Sequence, residues 1–245
     1  MKKVFKALVG SHNYGLNTET SDKDYKVFFY PDFNQLYSGE KYSKSTTSDT
    51  EDIEYHDIRK LPDMLWKSNV NFLEVLFSKE VSEVNELFEA LISRSEKIAG
   101  MNKPYLYDAC MGMFFKKQKE YKRDLENGSD MSKVRKHVVG GVRIVDFLQR
   151  YESNGWRFGE AIDYKDNEFM RSLLLKIKNG DVDDSRLEGL MDGSKILLDA
   201  LKPVYKEQVA DEETKKWMYN LVKWCVRCNV KAEMDLFFGE NKGGI

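Results

Sequence analysis

Asp22 and Asp24 stand two residues apart at the entrance to an apolar run, and a Gly-Ser pair, Gly10-Ser11, lies a short way upstream in "GSHNYGLNTETSDKDYKVFFYP". Alternation along a strand sends both carboxylates to one side. Like charges so placed repel unless a cation or a proton lies between them. Hard oxygen ligands without His or Cys suit magnesium or manganese rather than zinc. The small-residue turn, followed by a short helix, points backbone N–H groups and the Ser11 hydroxyl at an anion. A nucleoside triphosphate fits both halves, its phosphates on Gly10 and Ser11 and its metal on Asp22 and Asp24. Two-metal chemistry also wants a third acid on a neighbouring strand. The candidates are Asp52, Glu54 and Asp57 in "TEDIEYHDIRK". Asp52 and Glu54 share a strand face, whereas Asp57 is placed to cap the helix that follows.

Those residues need a sheet to hold them. "VFKALVG" reads as a short strand stopped by Gly-Ser, and Lys23 to Pro31 reads as a second, stopped by proline. Asn34 to Thr50, rich in Ser, Thr, Tyr and Lys, reads as a loop. A further strand spans Asp52 to Tyr55. Beyond Ser78 the pattern is helical, in segments each closed by Gly, Pro or a polar break. The sequence therefore predicts an α+β protein: a small mixed β-sheet core with flanking helices over residues 1–100, then a helical bundle over 101–245 that closes the cleft. Gly140-Gly141 falls inside one of those helices at a cost of about 1 kcal/mol each relative to alanine, which points to close approach of a backbone or a ligand there.

The 245 residues are 41% hydrophobic and 33% charged, which excludes disordered and fibrous classes. A net charge of -2 argues against holding nucleic acid by bulk positive charge. Lys6 interrupts the N-terminal apolar run, so no signal peptide is expected, and no apolar stretch is long enough for a bilayer. The expected address is the cytoplasm, without a membrane partner. Three cysteines suit a reducing compartment. Cys225 and Cys228 lie in a helical pattern without a second pair or a nearby His, so they read as a helix face rather than a zinc or redox motif. "FFKKQKEYKR" reads as a solvated, ion-paired helix face, since acids are interspersed.

"GSHNYGLNTETSDKDYKV" resembles the signature of the nucleotidyltransferase superfamily to which DNA polymerase beta belongs, and more narrowly that of the predicted nucleotidyltransferases of bacteria and phages. The likeness continues through "DIEYHDIRKLPDMLWKSNVNFLEVLFS" and, more weakly, "KHVVGGVR" and "LLLKIKNGDV". The resemblance implies Asp22, Asp24 and Asp52 as metal-holding catalytic acids, with Glu54 as the backup third acid. It also implies Lys136, His137 and Arg143, with Gly10 and Ser11, as nucleotide-binding residues. Lys26 stands where the family has arginine, and Gly140 where a second histidine is common. The implied reaction is Mg2+- or Mn2+-dependent transfer of a nucleoside monophosphate from a triphosphate such as ATP to an acceptor hydroxyl on a protein, an RNA or a small molecule. The rival readings are a non-catalytic nucleotide sensor, disfavoured by the third acid, and a nucleic-acid-binding module that uses the basic helices.

Overall fold

The computed structural model describes residues 2–48 and 50–240. Met1, Asp49 and residues 241–245, which fall in segments read above, lie outside them. Its strands are β1 (Lys3–Val9), β2 (Lys23–Phe29), β3 (Ser43–Thr47), β4 (Glu51–Asp57) and β5 (Val81–Ser82). Short helices α1 (Gly10–Tyr14), α2 (Phe33–Tyr37), α3 (Leu61–Trp66), α4 (Val70–Leu73), α5 (Glu86–Ile92) and α6 (Ser95–Ala99) surround the sheet. The second half contains α7 (Lys103–Glu126), α8 (Met131–Ser153), α9 (Phe158–Ile162), α10 (Glu168–Asn179), α11 (Leu187–Lys206) and α12 (Glu212–Glu240). No described helix is long and apolar enough to cross a membrane.

The strand order is β3-β4-β2-β1-β5. β2 runs antiparallel to β1 and parallel to β4, in a register that sets Asp24 directly opposite Asp52. The expected mixed sheet is therefore present, and its parallel pair joins the two acid-bearing strands. Val4, Phe5, Ala7 and Phe28 leave almost no surface to solvent. Phe5 stacks on Phe28 and Phe88, with ring centroids 4.7 and 3.9 Å apart, and so ties the sheet to α5. One hydrophobic cluster runs from these residues through Leu106, Phe114 and Val138 to Leu198 and Met218, joining the sheet half to the helical half.

Two sequence expectations change. The stretch read as a loop from Asn34 to Thr50 contains α2 and β3. Asp32 and Gln35 close a capping box on α2, which satisfies end groups that would otherwise face water. β3 is exposed along its length and is held by its ladder to β4, from Ser43 opposite His56 to Thr47 opposite Asp52. Backbone pairing makes this strand, so it leaves no apolar alternation to read. Beyond Ser78 the chain also returns briefly to the sheet as β5, pairing with Lys6 and Ala7.

In the helical half, α8 packs between α7, α10 and α11. The close approach expected at Gly140-Gly141 is made by side chains. A β-carbon on Gly141 would lie 2.8 Å from Met191 of α11, and one on Gly140 would lie 3.3 Å from Lys117 of α7. Lys117 and Lys116 pair with Glu120, and Arg123 pairs with Asp124, which makes the basic stretch an ion-paired helix face. Cys225 and Cys228 both ride on α12, the first half-buried and the second exposed.

Candidate active site

The site is a pair of hollows of about 380 and 310 Å³ that share Tyr14, Asp24 and Arg143 as their common wall. Asp52 and Glu54 line the first hollow, beside Ser45 to Thr47 of β3. Ser11, Asp22, Lys136 and Lys178 line the second. Asp24 is thus the hinge of the arrangement, with Asp52 to one side and Asp22 to the other. Asp22 sits just ahead of β2 rather than inside it, so strand alternation does not set its direction as the sequence suggested.

The acids feel one another. Burial, and after it the Asp52 charge, holds the Asp24 carboxyl above its ordinary range; Asp22 and Glu54 push the same way and Lys26 opposes them. The Oδ1 of Asp52 is buried without a hydrogen-bond partner among the described residues. A buried carboxylate oxygen with no donor is costly unless something outside the chain supplies the positive charge. Glu54 is in a different position. It pairs with Lys26 and with His56 Nε2 at 3.1 Å, and the His56 hydrogen bond, followed by Lys26, brings its carboxyl down to about 2. Its charge is already answered from within the fold.

Gly10 adopts φ +72°, and a β-carbon there would overlap the Asp24 carboxylate. Its role differs from the expected one. The Gly10 N–H is not left for a phosphate but donates to Glu74 Oε2 at 3.0 Å. Glu74 is 2% exposed and also accepts from the Tyr14 hydroxyl. Burial pushes its carboxyl up to about 7. Burial, then the Glu74 charge, raises the Tyr14 hydroxyl well above its usual range, so Tyr14 serves as a donor. The Gly-Ser turn is therefore braced from below by a buried acid, and Ser11 faces the second hollow.

Arg143 lies over the Tyr14 ring, its Cζ 4.2 Å from the centroid, and its Nη1 is buried without a hydrogen-bond partner among the described residues. Lys136 lines the second hollow with it. Lys133 instead pairs with Asp124. His137 lines neither hollow. It is buried between α7 and α8, with Nε2 3.0 Å from Asp124 and Nδ1 3.2 Å from Glu120. One residue, about 100° of helical rotation, separates these fates: Lys136 lines the cleft with Arg143 and His137 faces the neighbouring helix. His12 likewise packs locally, Nε2 lying 2.9 Å from the Ser21 carbonyl.

Sequence reasoning missed Lys178. It sits in the last turn of α10, half-buried, with Nζ 2.9 Å from Ser21 Oγ and 3.4 Å from the Leu16 carbonyl. A lysine in the last turn complements the helix dipole in any helix, so nothing in "LLLKIKNG" marks it as reaching a loop more than a hundred residues upstream. Among the described residues no group of three or more His, Cys, Asp or Glu side chains is gathered to hold a metal ion.

A mixed sheet that presents acids on adjacent parallel strands, beside a Gly-Ser turn and a helical wall of cations, places the chain among polymerase beta-like nucleotidyltransferases. Residues 1–138 match RlaP, the RNA repair pathway DNA polymerase beta family, and the chain belongs to that family. Among solved structures, a nucleotidyltransferase-like protein from Exiguobacterium sibiricum 255-15 is similar over 83% of this chain and 72% of its own, with 11% identity and a TM-score of 0.39. No curated protein matches the chain.

Proposed function

We propose that the protein transfers a nucleoside monophosphate from a nucleoside triphosphate to an acceptor hydroxyl, with release of pyrophosphate. The observation that carries this reading is Asp24, opposed by Asp52 across the parallel register and set in the wall between an acidic hollow and a cationic one. An orphaned Asp52 oxygen and an Asp24 carboxyl raised in part by its neighbours' charge fit a hard divalent cation. Magnesium commonly binds through one or two carboxylates plus substrate phosphates, so a cage of protein ligands is not needed.

Asp22, Asp24 and Asp52 would hold magnesium or manganese. When bound, the metal would lower the pKa of the acceptor hydroxyl and offset charge on the reacting phosphate. Glu54, paired with Lys26 and hydrogen-bonded to His56, is the weaker third acid. The chain's cations do the remaining electrostatic work. Arg143 reaches both hollows and is placed to meet the α-phosphate, while Ser11 and Lys136 take the phosphates beyond it. The acceptor hydroxyl gives its proton to solvent as its oxygen bonds to the α-phosphorus, the bond from that phosphorus to the bridging oxygen breaks, and pyrophosphate leaves with its electron pair. The acceptor then enters from the first hollow, past the hydroxyls of β3. The family's tie to RNA repair supports an RNA end as that acceptor.

Titrating magnesium and each of the four ribonucleoside triphosphates into the protein and into an Asp22→Ala, Asp24→Ala double variant tests this, with pyrophosphate release followed on adding RNA bearing a free 3′-hydroxyl. The expected result is metal-dependent binding of a triphosphate and pyrophosphate release, both lost in the variant. Binding that persists in the variant, or none in the wild type, would overturn the proposal.

A further inference from the structure

The geometry points to Lys178 of α10 as the residue that reads the terminal phosphate of the donor, acting with Lys136. This rests on the proposed nucleotidyl transfer, because it assigns the far end of the same substrate. Asp24 and Arg143 border both hollows, so the reacting α-phosphate belongs at their junction, and the remaining phosphates must run one way or the other. Beyond the junction the first hollow presents Asp52 and Glu54 against Lys26, and the second presents Lys136 and Lys178 against Asp22, so the excess charge is negative in the first and positive in the second. Charge sends the polyphosphate into the second.

Three observations separate Lys178 from an ordinary surface lysine. Among the described residues it makes no ion pair, and its Nζ rests on two neutral oxygens, Ser21 Oγ and the Leu16 carbonyl. An anionic phosphate oxygen is a stronger acceptor than either. Burial, and then the Lys136 ammonium, lowers its pKa, as happens when two cations share one hollow and neither is paired with an acid there. The helix has a second tether as well: Arg171 Nε donates to the Gly15 carbonyl at 2.9 Å, so Lys178 can exchange Ser21 for phosphate while α10 stays docked. Lys178 lies outside the segment that matches the family, so the terminal-phosphate contact is a property of the helical half.

Calorimetric titration of the full-length protein with inorganic tripolyphosphate and with pyrophosphate, without divalent metal, reads this directly. Wild-type protein is expected to bind tripolyphosphate more tightly than pyrophosphate. In Lys178→Met the tripolyphosphate affinity is expected to fall roughly tenfold or more, as for loss of a hydrogen bond to a charged group, with pyrophosphate affinity little changed. Ser21→Ala removes the neutral anchor and leaves the cation, and should keep or improve tripolyphosphate binding. Equal tripolyphosphate affinity in wild type and Lys178→Met would overturn the assignment. So would no preference for tripolyphosphate in the wild type, or parallel losses in Lys178→Met and Ser21→Ala, which would make Lys178 a loop brace only. Magnesium-dependent nucleotide binding, measured on the same preparations, keeps the two proposals apart. Its absence alongside Lys178-dependent tripolyphosphate binding would remove the transferase reading and leave the phosphate site standing.

Discussion

Gly10 lies directly beneath the Asp24 carboxylate, so close that a β-carbon on Gly10 would overlap it, and it does so at φ +72°. Two separate demands for glycine meet at one position. The backbone angle alone costs an L-residue about 1–2 kcal/mol, and the overlap must displace the acid at the centre of the site. Gly10→Ala is therefore expected to lower the unfolding midpoint modestly while removing magnesium-dependent nucleotide binding outright. Urea unfolding and calorimetry on the same sample check the pair, and an alanine variant that binds nucleotide normally would contradict the close packing as the reason for glycine.

Asp52 and Glu54 look alike in sequence and are opposite in environment, which gives a test of which acid serves the metal. Asp52→Asn removes a charge that raises Asp24 and replaces, by a neutral amide, a carboxylate whose Oδ1 has no donor among the described residues. It should therefore hold or raise the metal-free melting temperature while abolishing any stabilisation by magnesium. Glu54→Gln breaks the pairs with Lys26 and His56 and leaves Lys26, only 5% exposed, without its counter-charge. That variant should lose stability and keep its magnesium response. Melting curves with and without magnesium distinguish the two, and the reverse pattern would make Glu54 the ligand.

Glu74 sets a pH dependence of stability. Its carboxyl is raised from 4.5 to about 7 in the folded state, so between those values the folded protein holds a proton that the unfolded chain has released. The resulting stabilisation is complete below about pH 4.5 and is lost as pH rises through 7, at up to about 1.4 kcal/mol per pH unit. Glu74→Gln keeps an acceptor for the Gly10 N–H and cannot ionise. Its stability should fall less steeply than that of the wild type from pH 5 to 7 and should exceed it above pH 7. Urea midpoints at pH 5, 6, 7 and 8 measure this, and parallel profiles would contradict it.

What could be read ahead of the structure was local. Asp24 and Asp52 announce themselves because each stands near the head of a segment that reads as a strand, and β2 and β4 formed as expected. Asp57 was legible as a cap, and its side chain accepts from the Arg59 N–H at 2.8 Å. β3 was hidden because a strand held only by its backbone ladder carries no side-chain alternation. Lys178 was hidden for another reason: its importance comes from where α10 docks, and docking is decided by Leu174 and Ile177 on the buried side of the helix, not by the lysine. The Gly10 amide was misread because a turn before a helix has the same sequence whether its N–H meets a ligand or a buried carboxylate. Only Glu74, distant in sequence, tells the two apart.

The Gly141–Met191 contact tests the seam between α8 and α11, which carries Arg143 and Lys136 on its far side. A methyl group on Gly141 would sit 2.8 Å from the Met191 sulfur and terminal carbon, and Met191 is 1% exposed. Overpacking of this kind costs about 1–3 kcal/mol, against roughly 1 kcal/mol gained by replacing a helical glycine with alanine. Gly141→Ala is therefore expected to be neutral to mildly destabilising. Met191→Ala alone should cost about 2–5 kcal/mol through the cavity it leaves. In the double variant the new methyl group no longer meets the thioether, so the combined loss should be smaller than the sum by about 1 kcal/mol or more. Chemical unfolding of all four proteins closes the cycle. Strict additivity would mean that the two helices adjust independently and that glycine at this position is kept for some other purpose than the passage of Met191.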